Sequence, residues 1–493
     1  MVVSQYQRLI SKIKGYNPEA DFKLIEKAFF LAREAHQGQK RLSGEPVINH
    51  PLAVAEVLAD WKLDSVSIAA GFLHDVVEDS EITLDQLRKR FGEEIANLVD
   101  GVTKIGEIKL QASAEEKFVE NLRKMLVVMA RDLRVILIKL ADRYHNMQTL
   151  SYLLPEKQMR IARETLEVYA PLAERLGMGE MKGKLEDLAF PYCYPEEYCQ
   201  VHALSAPYYD QAEDYIKKAK QLIDKELEKE GIKADVNGRA KHLYSLWNKL
   251  CREEVNQDMN KIYDLVALRI LINTVHDCYL TLGLVHRLWK PVPTEGVRDF
   301  IAQPKPNGYR SIHTTVFGPQ GRIMEVQIRT FEMHEEAEDG IAAHWYYGHQ
   351  KKAGASDKKL EAGSFSPDEK LSWVKQLVAW QKEIVDSQEF IQTLKFDALS
   401  HRIFIFSPKG DVFDLPLRAT PVDFAYAVHT GLGDDCCGAK VDGKMTPLDY
   451  RLKSGQMVEI IRSKNKKGPS RDWLDFVKTR MARREIEKHH HRV

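Results

Sequence analysis

No CxxC pair occurs among the six cysteines, which stand at 193, 199, 251, 278, 436 and 437. That spacing argues against a cysteine-ligated zinc site. Adjacent Cys436 and Cys437 fit reduced thiols in a reducing compartment better than a disulfide framework. A surplus of charge is missing too: Lys plus Arg and Asp plus Glu are 72 each, a formal net charge of zero. A nucleic-acid coat protein or a polybasic membrane binder needs excess positive charge, so neither DNA nor membrane is an expected partner. The N-terminal stretch MVVSQYQRLISKIKGYNP lacks the long apolar core of a secretory signal. No uncharged apolar run approaches the length of a membrane span. The expected location is cytoplasmic.

What is present suffices for folded cores. The 493 residues are 44% hydrophobic and 29% charged, a length that suggests about three domains. Apolar residues recur at helical spacing in FKLIEKAFFLAREA and NLRKMLVVMARDLRVILIKLADRYHNM, so the first 195 residues read as nearly all helix. Thr83-Leu84-Asp85-Gln86 fits a capping box and predicts a helix starting near Thr83. A charged helix, DQAEDYIKKAKQLIDKELEKEG, should stop at Gly231. Then IYDLVALRILI, SIHTTVF and RIMEVQIRT bring β-branched, largely period-2 segments separated by helical stretches, predicting an α/β domain over 196–347. A polar Gly/Ser/Lys-rich linker and a helix fill 348–398, a compact strand-rich segment occupies 399–463, and a further helical region begins at 464–493. No internal repeat is evident. The fold class expected is multidomain, α and α+β.

In the helical part, INHP supplies His50, FLHDVVED supplies His74 and Asp75, and KLADRYHN supplies Asp142. Each alone reads as an ordinary turn histidine or solvated carboxylate. Together, imidazoles and carboxylates suit a divalent transition metal such as Mn²⁺. On a continuous helix Glu78 lies one turn beyond His74, and Asp79 one turn beyond Asp75. Those two carboxylates can therefore face the space beside the ion and orient or deprotonate an attacking water.

An HD doublet with an upstream His and a downstream Asp resembles the HD phosphohydrolase superfamily. AHQGQKRLSGEPVINHP, GFLHDVVEDS, DGVTKI and LIKLADRYHNMQTL resemble, more narrowly, the hydrolase domain of the RelA/SpoT homologue (Rel) family. The resemblance implies removal of pyrophosphate from the ribose 3′ position of (p)ppGpp with Mn²⁺ held by His50, His74, Asp75 and Asp142. It further implies that Glu78 and Asp79 serve the water, and that Arg41, Ser43, Asn146 and Thr149 contact the nucleotide.

A second group of residues follows. In GRAKHLYSLWNKL, Lys241, Ser245 and Lys249 are spaced i, i+4, i+8 for one helical face, with Arg239 at or before the first turn. Taken alone this is an ordinary solvated amphipathic helix. Asp264 is expected in the apolar strand IYDLVALRI, where a carboxylate needs a partner or a metal. Alternation in RIMEVQIRT places Glu325, Gln327 and Arg329 opposite Met324, Val326 and Ile328, on what is commonly a half-exposed face. Two carboxylates on neighbouring strands can hold Mg²⁺ between phosphates. Between them DFIAQPKPNGYRSIHTTVF forms a rigid turn presenting Lys305, Asn307 and Tyr309, followed by Arg310 and His313.

With EVQIRTFEMHEEAEDGIAAHWYY, these segments resemble the synthetase domain of the same family, whose fold is nucleotidyltransferase-like. This implies transfer of the β,γ-pyrophosphate of ATP to the 3′-hydroxyl of GDP or GTP, releasing AMP. Asp264 and Glu325 would address Mg²⁺, with Glu325 also deprotonating the hydroxyl. Arg239, Lys241 and Lys249, with the Ser245 hydroxyl, would hold ATP. Tyr309 would stack on guanine beside Asn307, and Lys305 and His313 would meet acceptor phosphates. Bifunctional members usually carry Arg-X-Lys-Asp where this chain has Gly296-Val297-Arg298-Asp299, which leaves GDP or GTP preference open.

SPKGDVFDLP, TPVDFAYAVHT, GAKVDGK and LDYRLKSGQMVEII resemble a TGS domain, a β-grasp unit. In Rel proteins it reads the 3′ end of uncharged tRNA at the ribosome, and His429 matches the contacting histidine; the simpler reading is a histidine ending its helix. Rel proteins usually continue into an ACT-containing region, which this chain lacks. Alternatives in other classes are a hydrolase with a silent, sensory synthetase domain and a tRNA-binding regulator with degenerate catalysis.

Overall fold

The computed structural model describes residues 2–106, 131–252, 255, 257–262, 264–293, 295–305, 308–343, 402–463 and 468–491. They fall into two compact units, 2–299 with 311–343 and 300–310 with 402–491.

The first unit opens with helices α1 (Val2–Tyr16), α2 (Phe22–Ala35), α3 (Asn49–Asp60), α4 (Ser65–Leu73), α5 (Val76–Asp79), α6 (Leu84–Phe91) and α7 (Glu93–Gly106). After α8 (Arg134–Gln148) come α9 (Pro155–Glu164), a π-helical turn over Thr165–Tyr169, α10 (Ala170–Arg175), α11 (Gly179–Cys193) and the long α12 (Pro195–Lys229). The apolar spacing of α2 buries Ile25, Ala28, Phe29, Leu31 and Ala32, and Asp21 caps its start by accepting the Leu24 N–H. α4 and α8 run through the centre. α4 is buried from Ser67 to Leu73, and α8 buries Val135, Ile136, Leu137, Ile138 and Leu140. Each such aliphatic or aromatic side chain contributes about 1.5–3 kcal/mol by leaving water. The capping box expected at Thr83 and Gln86 starts α6.

The chain then turns at Gly231, whose φ of 70° glycine adopts without strain. A five-stranded sheet follows, built from β1 (Ala234–Ala240), β2 (Val266–Ile272), β3 (Val297–Asp299), β4 (Ile312–Phe317) and β5 (Ile323–Thr330) in the order β1-β2-β5-β4-β3. β2 and β5 are parallel and the other pairs antiparallel. α13 (Leu243–Leu250), α14 (Val275–Leu288) and α15 (Phe331–Asp339) complete this part. β5 is central in the sheet, and its polar face is covered: Glu325, Gln327 and Arg329 are all buried. The half-exposed face that the alternation suggested is not observed.

Within this unit the sheet part is fastened to the helical part. Lys62 pairs with Glu335 on α15 at 2.7 Å, and the Ile341 N–H donates to the Leu176 carbonyl at 2.9 Å. Between them Gly340, at φ 57°, leaves no room for a side chain: a Cβ would lie 2.2 Å from the Leu176 oxygen.

In the second unit β6 (Arg402–Phe406) and β7 (Val412–Pro416) form one antiparallel pair, and β8 (Cys436–Val441), β9 (Lys444–Thr446) and β10 (Val458–Arg462) form a sheet in the order β10-β8-β9. α16 (Pro421–Val428) lies over them, with Ile403, Ile405, Leu415, Phe424, Val441 and Val458 in one core. After α17 (Thr430–Asp434), α18 (Arg480–His491) packs Ala482 and Ile486 on Val422 and Tyr426. The linker and helix expected over 348–398 lie outside the described residues. Among the described residues no helix is long and apolar enough to cross a membrane.

Candidate active sites

α3, the α4–α5 junction and α8 bring His50, His74, Asp75 and Asp142 to one point. His50 Nε2 lies 3.2 Å from His74 Nε2, 3.3 Å from Asp75 and 3.2 Å from Asp142, while His74 Nε2 lies 3.1 Å from Asp75. The helix is not continuous here, contrary to expectation: α4 ends at Leu73, and His74 and Asp75 form the corner before α5. The corner turns both side chains inward while Glu78 and Asp79 follow on the short α5.

The surrounding hydrogen bonds set the imidazole tautomers. His74 Nδ1 donates to the Gly71 carbonyl at 2.8 Å, which turns Nε2 toward the cluster. His145 Nδ1 lies 2.8 Å from His50 Nδ1 and 3.1 Å from the Arg41 guanidinium. Burial, then the neighbouring His50 and Arg41 charges, push His145 down to about 4, so the ring is neutral and its Nδ1 can accept from the Arg41 guanidinium. Outer partners of this kind orient imidazole metal ligands. His50, His74 and Asp142 offer ligand atoms that all lie within 4.8 Å of one another, with Asp75 beside both imidazoles, and this donor set fits a divalent transition metal.

Charge is tightly balanced around it. Against burial, Asp75 and Asp142 push His74 up to about 9, so a proton occupies the place where a cation fits. Against burial, Lys139 (2.7 Å away) and the two imidazoles hold Asp142 well below the usual carboxylate range. Burial first, then the Asp75 charge, raises Glu78 and Asp79, which suits carboxylates that take up a proton.

A cavity of about 390 Å³ opens beside this cluster, lined by Asp142 and by Arg41, Ser43, Asn146 and Thr149, all four expected nucleotide contacts. Arg41 donates to Asn146 at 2.6 Å, and Asn146 to Asp142 at 2.5 Å, so the cavity wall and the donor cluster share one network. Sequence reasoning missed Lys139, Arg143, Tyr152, Arg160 and Tyr169, which also line it. Arg143 stacks 4.2 Å over the Tyr169 ring and pairs with Glu164 at 3.2 Å. The π-helical turn rotates Tyr169 into this position, and no residue pattern announces it.

The second group gathers on the sheet. Lys241 and Lys249 each reach Asp264 at 2.8 Å and, against burial, hold its carboxyl low. The route differs from the one expected. Arg239 is on β1, Lys241 lies between β1 and α13, and α13 begins only at Leu243, so Lys241 does not share a helical face with Ser245 and Lys249. Ser245 is on α13. Asp264 sits in the turn before β2 rather than in the strand. Arg239, Ala267, Glu325 and Thr315 lie in one row across β1, β2, β5 and β4.

Glu325 receives the Arg298 guanidinium at 2.5 Å, His313 Nδ1 at 3.3 Å and the Gln327 amide at 2.7 Å. Against burial, His313, Gln327 and Arg298 together hold its carboxyl well below the usual range. A carboxylate held that low is a weak base, so this arrangement suits cation holding better than proton abstraction. Arg298, the basic residue of the unusual Gly296–Asp299 segment, is thus placed on the expected base.

Lys305 and Tyr309 belong to the second unit, where Lys305 Nζ lies 4.6 Å from the Phe300 ring, 5.0 Å from Tyr309 and 5.9 Å from Phe404. Asn307 lies outside the described residues. His429 is exposed and ends α16, as the simpler reading expected. Its Nδ1 accepts the Gly431 N–H at 3.1 Å and caps α17.

Three family models match the chain: "HD domain" over residues 28–179, "Region found in RelA / SpoT proteins" over 238–352 and "TGS domain" over 403–462. The GTP pyrophosphokinase of Myxococcus xanthus is 48% identical over 476 residues, covering 96% of this chain and 61% of that protein. The chain belongs to the RelA/SpoT family. Other members similar to it are the bifunctional (p)ppGpp synthase/hydrolase RelA of Mycobacterium tuberculosis, 46% identical over 97% of this chain and 64% of that protein, and the guanosine-3′,5′-bis(diphosphate) 3′-pyrophosphohydrolase of Aquifex aeolicus, 45% identical over 94% and 64%. The chain spans about three fifths of the length of these RelA/SpoT relatives.

Proposed function

We propose that this chain both degrades and makes the guanosine alarmone (p)ppGpp, at two separate sites. The observation that carries the reading is the His50, His74, Asp75 and Asp142 cluster sharing a hydrogen-bond network with the basic wall of an adjoining cavity. In the hydrolase the four residues hold Mn²⁺, and Arg41, Ser43, Asn146 and Thr149 hold the nucleotide. Bound there, the ion supplies Lewis-acid polarisation and lowers the pKa of the attacking water. Glu78 and Asp79 orient that water and take its proton. The 3′-pyrophosphate leaves, and GDP or GTP remains.

In the synthetase Asp264 and Glu325 hold Mg²⁺, and Arg239, Lys241, Ser245 and Lys249 hold ATP. Lys305, Asn307, Tyr309 and His313 position the guanosine acceptor. Catalysis here is positioning and charge neutralisation in the transfer of pyrophosphate to the 3′-hydroxyl, with AMP released. For proton removal Glu325 has first to lose the Arg298 contact. His429 of the TGS unit contacts the 3′ end of uncharged tRNA at the ribosome, and the protein works in the cytoplasm.

The ion pair between Arg298 and Glu325 favours a second reading, hydrolysis with a silent synthetase part. Incubation with ATP, GDP or GTP, Mg²⁺ and Mn²⁺ decides. AMP and (p)ppGpp should form in the wild type, formation should vanish in Glu325→Gln, and breakdown should vanish in His74→Ala. Breakdown without synthesis would leave the hydrolase alone. If neither occurs, even with ribosomes and uncharged tRNA, both enzyme readings fall.

A further inference from the structure

α13 carries Lys249 and follows directly on Lys241, yet it has no side-chain cap of its own: its N-cap residue is His242, which makes none. The cap comes from another helix. Asp187 of α11 accepts the Tyr244 N–H at 3.0 Å through Oδ1, and its Oδ2 lies 2.7 Å from His242 Nδ1. The other imidazole nitrogen lies 3.7 Å from Glu180, about two turns earlier on the same side of α11. Against burial, Asp187 and Glu180 raise His242 to about 9, so the imidazole is a cation between two carboxylates.

The ring is also wedged in place. At Gly183, between Glu180 and Asp187, a Cβ would lie 2.2 Å from His242 Cδ2, so only glycine admits it. Phe190 and Tyr194 of α11 and its exit pack on Trp247 at 5.4 and 4.8 Å between ring centres, which fixes the same face of α13. The Lys241 backbone is held independently. Its N–H donates to the Leu265 carbonyl at 3.0 Å, and its carbonyl accepts the Tyr209 hydroxyl at 2.8 Å. With Lys241 fixed, the direction in which α13 leaves it decides where Lys249 meets Asp264.

We infer that Asp187, acting through His242 and the Tyr244 amide, is a positioning residue of the synthetase, setting the spacing of Lys241 and Lys249 that receives the triphosphate of ATP. Asp187 acts on ATP only through the helix it caps. It caps a helix of eight residues that would otherwise begin with open N–H groups. A cation, His242⁺, holds the capping carboxylate in line. The inference rests on the reading of this site as an ATP-dependent transferase.

The test uses the full chain and two readouts: binding of a non-hydrolysable ATP analogue by calorimetry, and steady-state synthesis and hydrolysis. Loss of a capping carboxylate shifts a helix equilibrium about fivefold or more, so Asp187→Ala should weaken ATP-analogue binding and raise KM for ATP roughly five- to tenfold. KM for the guanosine acceptor and the rate of hydrolysis should stay within about twofold. Asp187→Asn keeps an oxygen for the Tyr244 N–H and should recover part of the loss. Gly183→Ala displaces the His242 ring without changing charge and should reproduce it. Should Asp187→Ala fail to fold, the other two variants carry the same comparison. Unchanged analogue binding in all of them would overturn the inference, as would equal losses for ATP, acceptor and hydrolysis, which mean general disruption. If the analogue binds and weakens as expected while even the wild type makes no product, it is the transferase reading that fails.

Discussion

At the residue scale the donor cluster makes proton and metal rivals. His74 holds a proton up to about 9 because Asp75 and Asp142 flank it, and that proton has to leave before Nε2 can bind an ion. Mn²⁺ affinity should therefore rise with pH from 6 towards about 9, with proton release visible when calorimetry is repeated in buffers of different ionisation enthalpy. A pH-independent affinity would contradict the assignment. At the second site the same logic runs through Arg298. Replacing it by Gln removes a cation 2.5 Å from Glu325, so the carboxyl should rise toward its ordinary value. The acid limb of the synthesis pH profile should then move to higher pH; a profile that stays put means Arg298 is not paired with Glu325 during turnover. The metal-type residues were legible because residue identity and order carry the chemistry. Arg143 and Tyr169 were not, since their approach depends on a π-helical turn that no spacing rule encodes.

At the scale of elements, punctuation was readable and continuity was not. Thr83 and Gln86 form the expected reciprocal cap, and Thr83→Ala should lower stability by about 1 kcal/mol in denaturant titration. Gly231 ends the charged helix as its backbone freedom allows. By contrast, periodicity extended one helix through His74 and another back over Lys241, and both are interrupted. Helical spacing reports which residues can share a face, and it is blind to a corner that turns polar side chains inward. The alternation in β5 was read correctly as two faces, but whether a face is covered depends on what packs over the sheet, which a local pattern does not contain. Gly340 offers a test at this scale. Alanine there meets the Leu176 carbonyl in a left-handed backbone, so Gly340→Ala should lose about 2 kcal/mol or more and depress Tm by several degrees. An unshifted Tm would show that the junction of α15 with the helical part relaxes freely.

At the scale of the whole molecule, opposing reactions in one chain need coupling or they consume ATP in a cycle. The contacts that can carry it are within the first unit: α11 packs on α8, which bears Asp142, and also caps α13, which bears Lys249. We expect a (p)ppGpp-like ligand of the first site to change ATP-analogue affinity at the second, and the reverse by the same factor, since linkage is reciprocal. Calorimetry with each ligand, alone and with the other present, measures both factors. Equal affinities with and without the second ligand would rule the coupling out.

The sheet order also dictates an order in time. β5, at Ile323–Thr330, joins β2 to β4, so until it is made the strands already synthesised remain two unconnected pairs. The donor cluster and the cavity beside it are complete in sequence by Tyr169. A growing chain, which folds from its N-terminus, thus holds every residue for destroying the proposed alarmone long before it holds Glu325 for making it. Nonsense and frameshift lesions falling between those points would disarm one reaction and spare the residues of the other, tilting the mutational spectrum of such a gene toward loss of synthesis.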